Sequence, residues 1–114
     1  MTVSARLAAA LTVTAGLAAA SGCGGAKSPA APTKVRAGAQ VFGQAGCGTC
    51  HSLAAAGTRG QIGPNLDQLQ PDAETVARQV RQGGGGMPAY VDRLREEDIG
   101  AVAAYVAQVT GQPR

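Results

Sequence analysis

The segment Cys47 to His51, CGTCH, brings two thiols close together in the chain and places a histidine directly after the second. The chain has 114 residues, with 17 glycines, two tyrosines, one phenylalanine and no tryptophan. A small domain with so few bulky side chains cannot easily fill a core, and such domains commonly depend on a disulfide, a metal or another group that adds stability. CGTCH is where such a group would attach, so it limits the possible folds more than any other feature.

Several kinds of group use a CxxC pair. A thioredoxin-type redox pair begins a helix in a βαβ unit, whereas here a predicted helix precedes the pair and no segment has strand alternation. A structural zinc ion needs four ligands. The CGTCH segment offers at most three, and the chain has no second histidine to supply another. A plain disulfide leaves His51 without a role. CxxCH is also the attachment signal of c-type haem, in which Cys47 and Cys50 form thioethers to the vinyl groups and His51 binds the iron. The sequence favours this last interpretation.

Residues 1–22 are predicted to be an export signal. Arg6 precedes an uncharged, mostly apolar run at residues 7–20, which is shorter than the roughly 20 apolar residues of a membrane-spanning helix. The following AASGC resembles the lipobox of bacterial lipoproteins, with Cys23 as the acylated residue, although Ala20 stands where a branched residue is usual. In the alternative interpretation, cleavage follows Ala20 and Cys23 is a free thiol.

Residues 23–34 are rich in glycine, alanine and proline, and they predict a flexible membrane tether before a domain at residues 35–112. The basic residues Lys27, Lys34 and Arg36 lie near Cys23. They can bind anionic headgroups, for about 1 kcal/mol each, or they can simply keep the tether solvated. No basic stripe with interleaved aromatic residues occurs in the sequence, so nucleic-acid binding has no support.

Three segments of the domain have the apolar periodicity of helices: residues 33–46, 71–83 and 96–113. In the second, acidic residues come first and arginines last, as the helix dipole favours. The glycine- and proline-rich segments between them are predicted to be loops, and no segment predicts a sheet. The fold class is therefore all-α, a small domain of three to five helices around an attached cofactor.

The second axial position of the iron has one candidate. A single histidine excludes bis-histidine ligation within one chain, and Met1 leaves with the export signal. Met87 remains, in the segment GGGGMPAY, and His/Met ligation is typical of electron-transferring cytochromes c. In the alternative interpretation, Met87 is a loop residue that packs on apolar surface. The four glycines before it predict a loose loop, because glycine has a large conformational entropy to lose.

These motifs resemble those of the class I monohaem cytochromes c, over about residues 35–111. GAQVFGQAGCGTCH, GPNL, MPAY and IGAVAAYV occur in the order of that family. The resemblance implies that Gly38 and Phe42 pack against Tyr105 in a crossed pair of helices. Tyr90 would either contact the haem or only line the loop, and both readings stay open.

The resemblance also implies that the Pro64 carbonyl accepts the Nδ1 proton of His51 and so orients the ring. The implied function is a single-electron carrier with one covalent haem c, which is not an enzyme and takes no small-molecule substrate. It would meet redox donors and acceptors transiently, as a monomeric haem domain in a respiratory or related electron-transfer chain. With Cys23 acylated, the protein would be exported and held at the periplasmic or extracellular face of the cell membrane.

Two other classes of function stay open at this level. A haem-based ligand sensor or a peroxidase-like enzyme would need a vacant or easily vacated sixth position on the iron. A metal or thiol-redox module would work without haem.

Overall fold

The computed structural model describes residues 33–111. The predicted export signal, Cys23 and the tether up to residue 32 lie outside the described residues, as does residue 112 at the predicted end of the domain. Within the described range no helix is both long and apolar enough to cross a membrane. The helices are α1 (Thr33–Gln44), α2 (Leu66–Leu69), α3 (Ala73–Gln82) and α4 (Glu96–Gly111), and two strands, β1 (Ser52–Leu53) and β2 (Thr58–Arg59), form an antiparallel pair.

The all-α class is confirmed, and the three longer helices lie where the periodicity predicts them. Helix α1 begins at Thr33 and so includes Thr33 and Lys34, the last two residues of the predicted tether. The segment between the first two predicted helices was expected to be an irregular loop without a sheet. The structure differs, because this segment contains the short strand pair and α2. Helix α2 forms because the Asn65 side chain accepts a hydrogen bond from the backbone N–H of Gln68 (3.2 Å) and caps its first turn.

Helices α1 and α4 cross at Gly38. A Cβ atom at this position would collide with the backbone carbonyl of Ala101 and lie 2.6 Å from Cβ of Tyr105. The close approach brings the rings of Phe42 and Tyr105 into an edge-to-face contact, with centroids 5.9 Å apart and planes at 65°. The packing that the resemblance implied for Gly38, Phe42 and Tyr105 is therefore present in the structure.

The core is small and lies mainly between α1 and α4, with one side bordering a cleft. Helix α3 buries Val80, whereas Val76 is half-buried because it lines that cleft. Apolar residues recur along this helix at Ala73, Val76, Ala77 and Val80, a spacing that predicts one shared face, yet Ala73 is exposed. The buried apolar side chains of the core cluster are Val35, Val41, Phe42, Leu53, Leu66, Val80, Ile99, Val102, Tyr105 and Val106.

Helix α3 begins with a side-chain cap that makes its stability depend on pH. The carboxylate of Asp72 accepts the backbone N–H of Thr75 (2.7 Å) and its hydroxyl (3.2 Å), and these bonds lower the pKa of Asp72. A lowered pKa in the folded state means that the charged form stabilises the fold at neutral pH, and that this contribution is lost as the pH falls through the lowered value.

We therefore expect Asp72→Ala to lower the melting temperature at pH 7. The difference from the wild type should narrow in acid, because protonation weakens the cap in the wild type. Thermal unfolding followed by circular dichroism at both pH values measures this, with the haem attached in both proteins. A difference that stays constant from neutral to acidic pH would contradict the assignment of the effect to the carboxylate.

Candidate cofactor site

A cleft of about 400 Å³ opens beside the CGTCH segment. Five residues singled out from the sequence border it: Cys47, Cys50, His51, Pro64 and Met87. Tyr90 also borders it. The tertiary structure thus brings together side chains that lie far apart in the chain, such as Cys47 and Met87. Much of the remaining wall is apolar, and includes Phe42, Leu66, Val76, Val80, Val102 and Val106.

The thiols are placed by a short 3-10 turn, Cys47–Thr49, that follows α1. The backbone N–H groups of Cys50 and His51 both donate to the carbonyl of Cys47, at 3.2 and 3.0 Å. Both thiols are half-buried and are not joined in a disulfide. Burial raises the pKa of the Cys47 thiol, whereas the reactive cysteine of a redox pair has a lowered pKa. The thiol environment therefore does not favour a thioredoxin-type function.

The imidazole of His51 has one nitrogen bound and one available. Its Nδ1 lies 2.9 Å from the carbonyl oxygen of Pro64. Because a carbonyl oxygen can only accept, Nδ1 must carry the proton, which leaves the lone pair on Nε2. A histidine that donates one nitrogen to a carbonyl and offers the other is oriented as metal-binding histidines are. This is the contact that the resemblance implied for Pro64.

Two further residues, which the sequence interpretation missed, hold His51 in place. The hydroxyl of Thr58 donates to the carbonyl of His51 (3.0 Å). Gly63 packs against the imidazole, since a Cβ there would lie 2.6 Å from Cε1 and 2.8 Å from Nδ1. Its N–H also donates to the carbonyl of Cys50 (2.7 Å). The GPNL motif, of which Gly63 is the first residue, was the available signal.

Gly63→Ala should therefore disturb the orientation of His51, because the added methyl group occupies the space of the ring. We expect a lower yield of holoprotein and a larger high-spin fraction in the ferric spectrum than in the wild type. Gly43→Ala is the matched control, since a Cβ at Gly43 meets no atom within 4 Å. Equal yields and equal spectra for the two variants would show that Gly63 does not support the ring.

Met87 follows a tight turn. Gly84 and Met87 exchange two backbone hydrogen bonds, with the N–H of Gly84 donating over 2.9 Å and that of Met87 over 3.1 Å. The residues between them, Gly85 and Gly86, have φ of 62° and 91°, the values of a type I′ turn, which glycine adopts readily. The glycines thus form a closed, hydrogen-bonded turn, which does not support the expectation of a loose loop.

The turn is fastened to α3 by two neighbours. The side chain of Gln79 donates to the carbonyls of Gly83 (3.1 Å) and Gly84 (3.3 Å). The backbone N–H of Tyr90 donates to the carbonyl of Val80 (2.8 Å). Together these bonds hold the half-buried Met87 against the core beside the cleft.

The donor set and the apolar lining of the cleft fit a c-type haem. Cys47 and Cys50 are free thiols that border the cleft, His51 has an available Nε2, and Met87 offers a thioether. Imidazole and thioether are established axial ligands of haem iron, and an apolar wall suits the macrocycle. Among residues 33–111, no three His, Cys, Asp or Glu side chains group closely enough to hold a metal ion directly, which gives a zinc site no support there.

Comparisons with known proteins agree with this fit. A family model described as "Cytochrome C oxidase, cbb3-type, subunit III" matches residues 33–106. Cytochrome c6 of Picosynechococcus sp. is 38% identical over 90 residues, which cover 69% of this chain and 76% of that protein. The cbb3-type cytochrome c oxidase subunit FixP of Sinorhizobium medicae is 37% identical over 93 residues, which cover 69% of this chain but 31% of that protein. The crystal structure of the c-type cytochrome SorU from Sinorhizobium meliloti superimposes with a TM-score of 0.65 and 45% identity, over 69% of this chain and 93% of that one.

Proposed function

This chain belongs to the class I monohaem cytochromes c, and from that membership we propose that it is a single-electron carrier with His/Met ligation, tethered at the outer face of the cell membrane. It is a haem-based electron carrier that binds one haem c covalently and exchanges electrons with redox partners, as its family does. When bound, the haem supplies an iron(III)/iron(II) couple. The residues of this chain attach it, orient it and limit its contact with water.

In this proposal, Cys47 and Cys50 form the two thioethers and His51 and Met87 are the axial ligands. The observation that carries it is the hydrogen bond from His51 Nδ1 to the Pro64 carbonyl, in the wall of a cleft that both thiols and Met87 also border. Pro64 holds the ring in the orientation and tautomer that leave Nε2 available. The thioether of Met87 raises the reduction potential relative to a second histidine.

With both axial positions filled, no position on the iron is open to a substrate. The protein would then carry electrons without acting as an enzyme, and electrons would enter and leave at the haem edge in transient complexes with donor and acceptor proteins. The apolar side chains Val76, Val80, Val102 and Val106 would exclude water from the macrocycle. Val80, Val102 and Val106 are already buried in the core, and the bound haem would also cover the half-buried Val76 that lines the cleft.

The membrane tether is proposed from the sequence alone. Acylation of Cys23 would anchor the chain after removal of residues 1–22, and residues 23–32 would link the anchor to the haem domain. Expression in a bacterial host with separation of membrane and soluble fractions tests this. The wild type should be found in the membrane fraction with an acylated Cys23 by mass spectrometry, and Cys23→Ser should be released.

Optical redox titration of the exported protein tests the electron-carrier function and the ligation together. We expect a pyridine-haemochrome spectrum typical of two thioethers, a reversible one-electron transition, and a far-red thioether-to-iron(III) band in the oxidised protein at neutral pH. Absence of the haemochrome spectrum would overturn the proposal as a whole. A haemochrome spectrum without the far-red band would remove Met87 as a ligand and favour a haem-based sensor or a peroxidase-like enzyme.

A further inference from the structure

An ion pair joins the two helices on either side of the Met87 segment. Arg81 lies in the last turn of α3, and Glu96 is the first residue of α4. Nε of Arg81 lies 3.0 and 2.9 Å from the two carboxylate oxygens of Glu96, and Nη2 lies 2.8 Å from one of them. This is the forked geometry that makes an arginine–carboxylate pair directional.

The position of this pair distinguishes it from other ion pairs in residues 33–111. Arg95, the last residue before α4, pairs with Glu97 and Asp98 in the first turn of that helix. The Arg81–Glu96 pair instead connects α3 to α4, and the segment 82–95 between its two members contains Met87. Neither Arg81 nor Glu96 lines the cleft. Any effect of the pair on Met87 must therefore act through the segment.

The segment is bound both to itself and to the end of α3. The turn at Gly84 and Met87 closes on itself, and Tyr90 is bound to Val80 on α3. The carbonyl of Tyr90 then accepts the N–H groups of Arg93 and Leu94, both at 2.9 Å, in the turn that leads towards α4. Because Gln79 also binds Gly83 and Gly84, these bonds connect the segment to α3. A separation of the end of α3 from the start of α4 would therefore carry Met87 along with α3.

We propose that the Arg81–Glu96 pair is a positioning device for Met87, which keeps its thioether at the iron by holding these two helix ends together. The proposal rests on the axial role of Met87 proposed above. The negative charge of Glu96 lies at the N-terminus of α4 and the positive charge of Arg81 at the C-terminus of α3, so each helix dipole stabilises the charge at its end. The Arg81 and Glu96 side chains are 41% and 63% exposed. A pair this exposed stabilises the whole fold little, so its effect should appear in local opening rather than in global unfolding.

The experiment measures how readily Met87 leaves the iron in the ferric holoprotein. Exogenous imidazole replaces the thioether: the iron–sulfur bond breaks, an iron–nitrogen bond forms, and no electron is transferred. At saturating imidazole, the rate at which the far-red band disappears reports the release of Met87. Amide hydrogen exchange at Met87 and Tyr90 reports the opening of the segment independently of the ligand.

Arg81→Gln and Glu96→Gln should each raise the limiting rate roughly twofold to fivefold, the range for an exposed but well-oriented pair. The double variant should exceed neither single variant, because the same interaction is lost in all three. Arg78→Gln is the matched control for arginine, since Arg78 lies one turn earlier on α3 and its guanidinium donates to Thr75 on the same helix. Glu97→Gln is the control for the acid, and both controls should retain the wild-type rate.

Salt provides a second test. Raising the ionic strength screens exposed charges and should speed the release of Met87 in the wild type towards the rate of Arg81→Gln, with little effect on that variant. If Arg81→Gln and Arg78→Gln unfold at the same urea concentration, the effect of Arg81→Gln on Met87 release is local. Equal release rates for Arg81→Gln and Arg78→Gln, or additive effects in the double variant, would overturn the proposal.

Failure of this inference is distinguishable from failure of the proposed ligation. If the wild type lacks the far-red band, Met87 is not the ligand, and the positioning role at the iron fails with it. If the band is present and Arg81→Gln leaves both the release rate and the hydrogen exchange of Met87 unchanged, the ligation stands and the positioning role is wrong.

Discussion

Met87→Ala is expected to abolish the far-red band of the ferric protein and to lower its reduction potential by on the order of 0.1 V or more, within the roughly 0.8 V range that axial ligands span. The physical reason is that a thioether stabilises iron(II) relative to iron(III), whereas water or an external ligand in its place does so less. His51 is the single histidine of the chain, and in the proposed ligation it binds the iron on the proximal side. The sixth position would therefore open, and imidazole or cyanide would bind without waiting for Met87 to leave.

Val91→Ala is the matched control for this substitution. Val91 belongs to the same segment, its apolar side chain is 51% exposed, and it does not line the cleft. Its truncation should retain the band, the potential and the slow binding of external ligands. A band that persisted in Met87→Ala would identify another ligand and would return Met87 to the role of a packed loop residue.

Gly38→Val is expected to prevent the accumulation of folded holoprotein. The new side chain would occupy the space of the Ala101 carbonyl, and backbone atoms of a packed helix cannot move aside as a flexible side chain can. Overpacking of a core typically destabilises a protein by about 1–3 kcal/mol, and occasionally by more. Here the two helices must separate, which would also break the contact between Phe42 and Tyr105. Yield of haem-containing protein and urea unfolding of any product measure the effect.

Alanine substitutions at two glycines of α1 separate this clash from helix propensity. Alanine favours a helix over glycine by about 1 kcal/mol, so Gly43→Ala, where no atom lies within 4 Å of the new methyl group, should be neutral or stabilising. Gly38→Ala should be destabilising in spite of the same gain in propensity. Similar unfolding midpoints for the two variants would show that the helices tolerate a wider separation than their packing indicates.

Much of the fold could be predicted from the sequence, because apolar residues recur with the helical period along a long amphipathic helix. On the two longest helices the apolar periodicity predicts a buried face, and Val41 and Phe42 of α1 and Val102 and Val106 of α4 are buried. Helix α2 and the β1–β2 pair were missed, because elements of two to four residues are too short for a period to be visible. They form through individual contacts, such as the cap that Asn65 provides.

Gln70 illustrates a feature that only packing explains. It has a φ of 47°, a backbone conformation that residues other than glycine, asparagine and aspartate rarely adopt. Its side chain donates to the carbonyl of Thr110 at the far end of the chain (3.1 Å). Such strain persists where the surroundings hold it in place, and no local pattern in the sequence indicated it.

Residue types, their spacing and a count of the histidines and methionines were sufficient to predict the haem attachment motif, the candidate axial ligands and the all-α class. The family and its cofactor were confirmed by comparison. The contacts that hold these groups became known only from the folded chain: Gly63 against the ring of His51, the closed turn before Met87, and the Arg81–Glu96 pair between the helices. These features are either contacts between residues that lie well apart in the chain or backbone conformations. Residue type alone indicates neither kind of feature, because both form only when the chain folds.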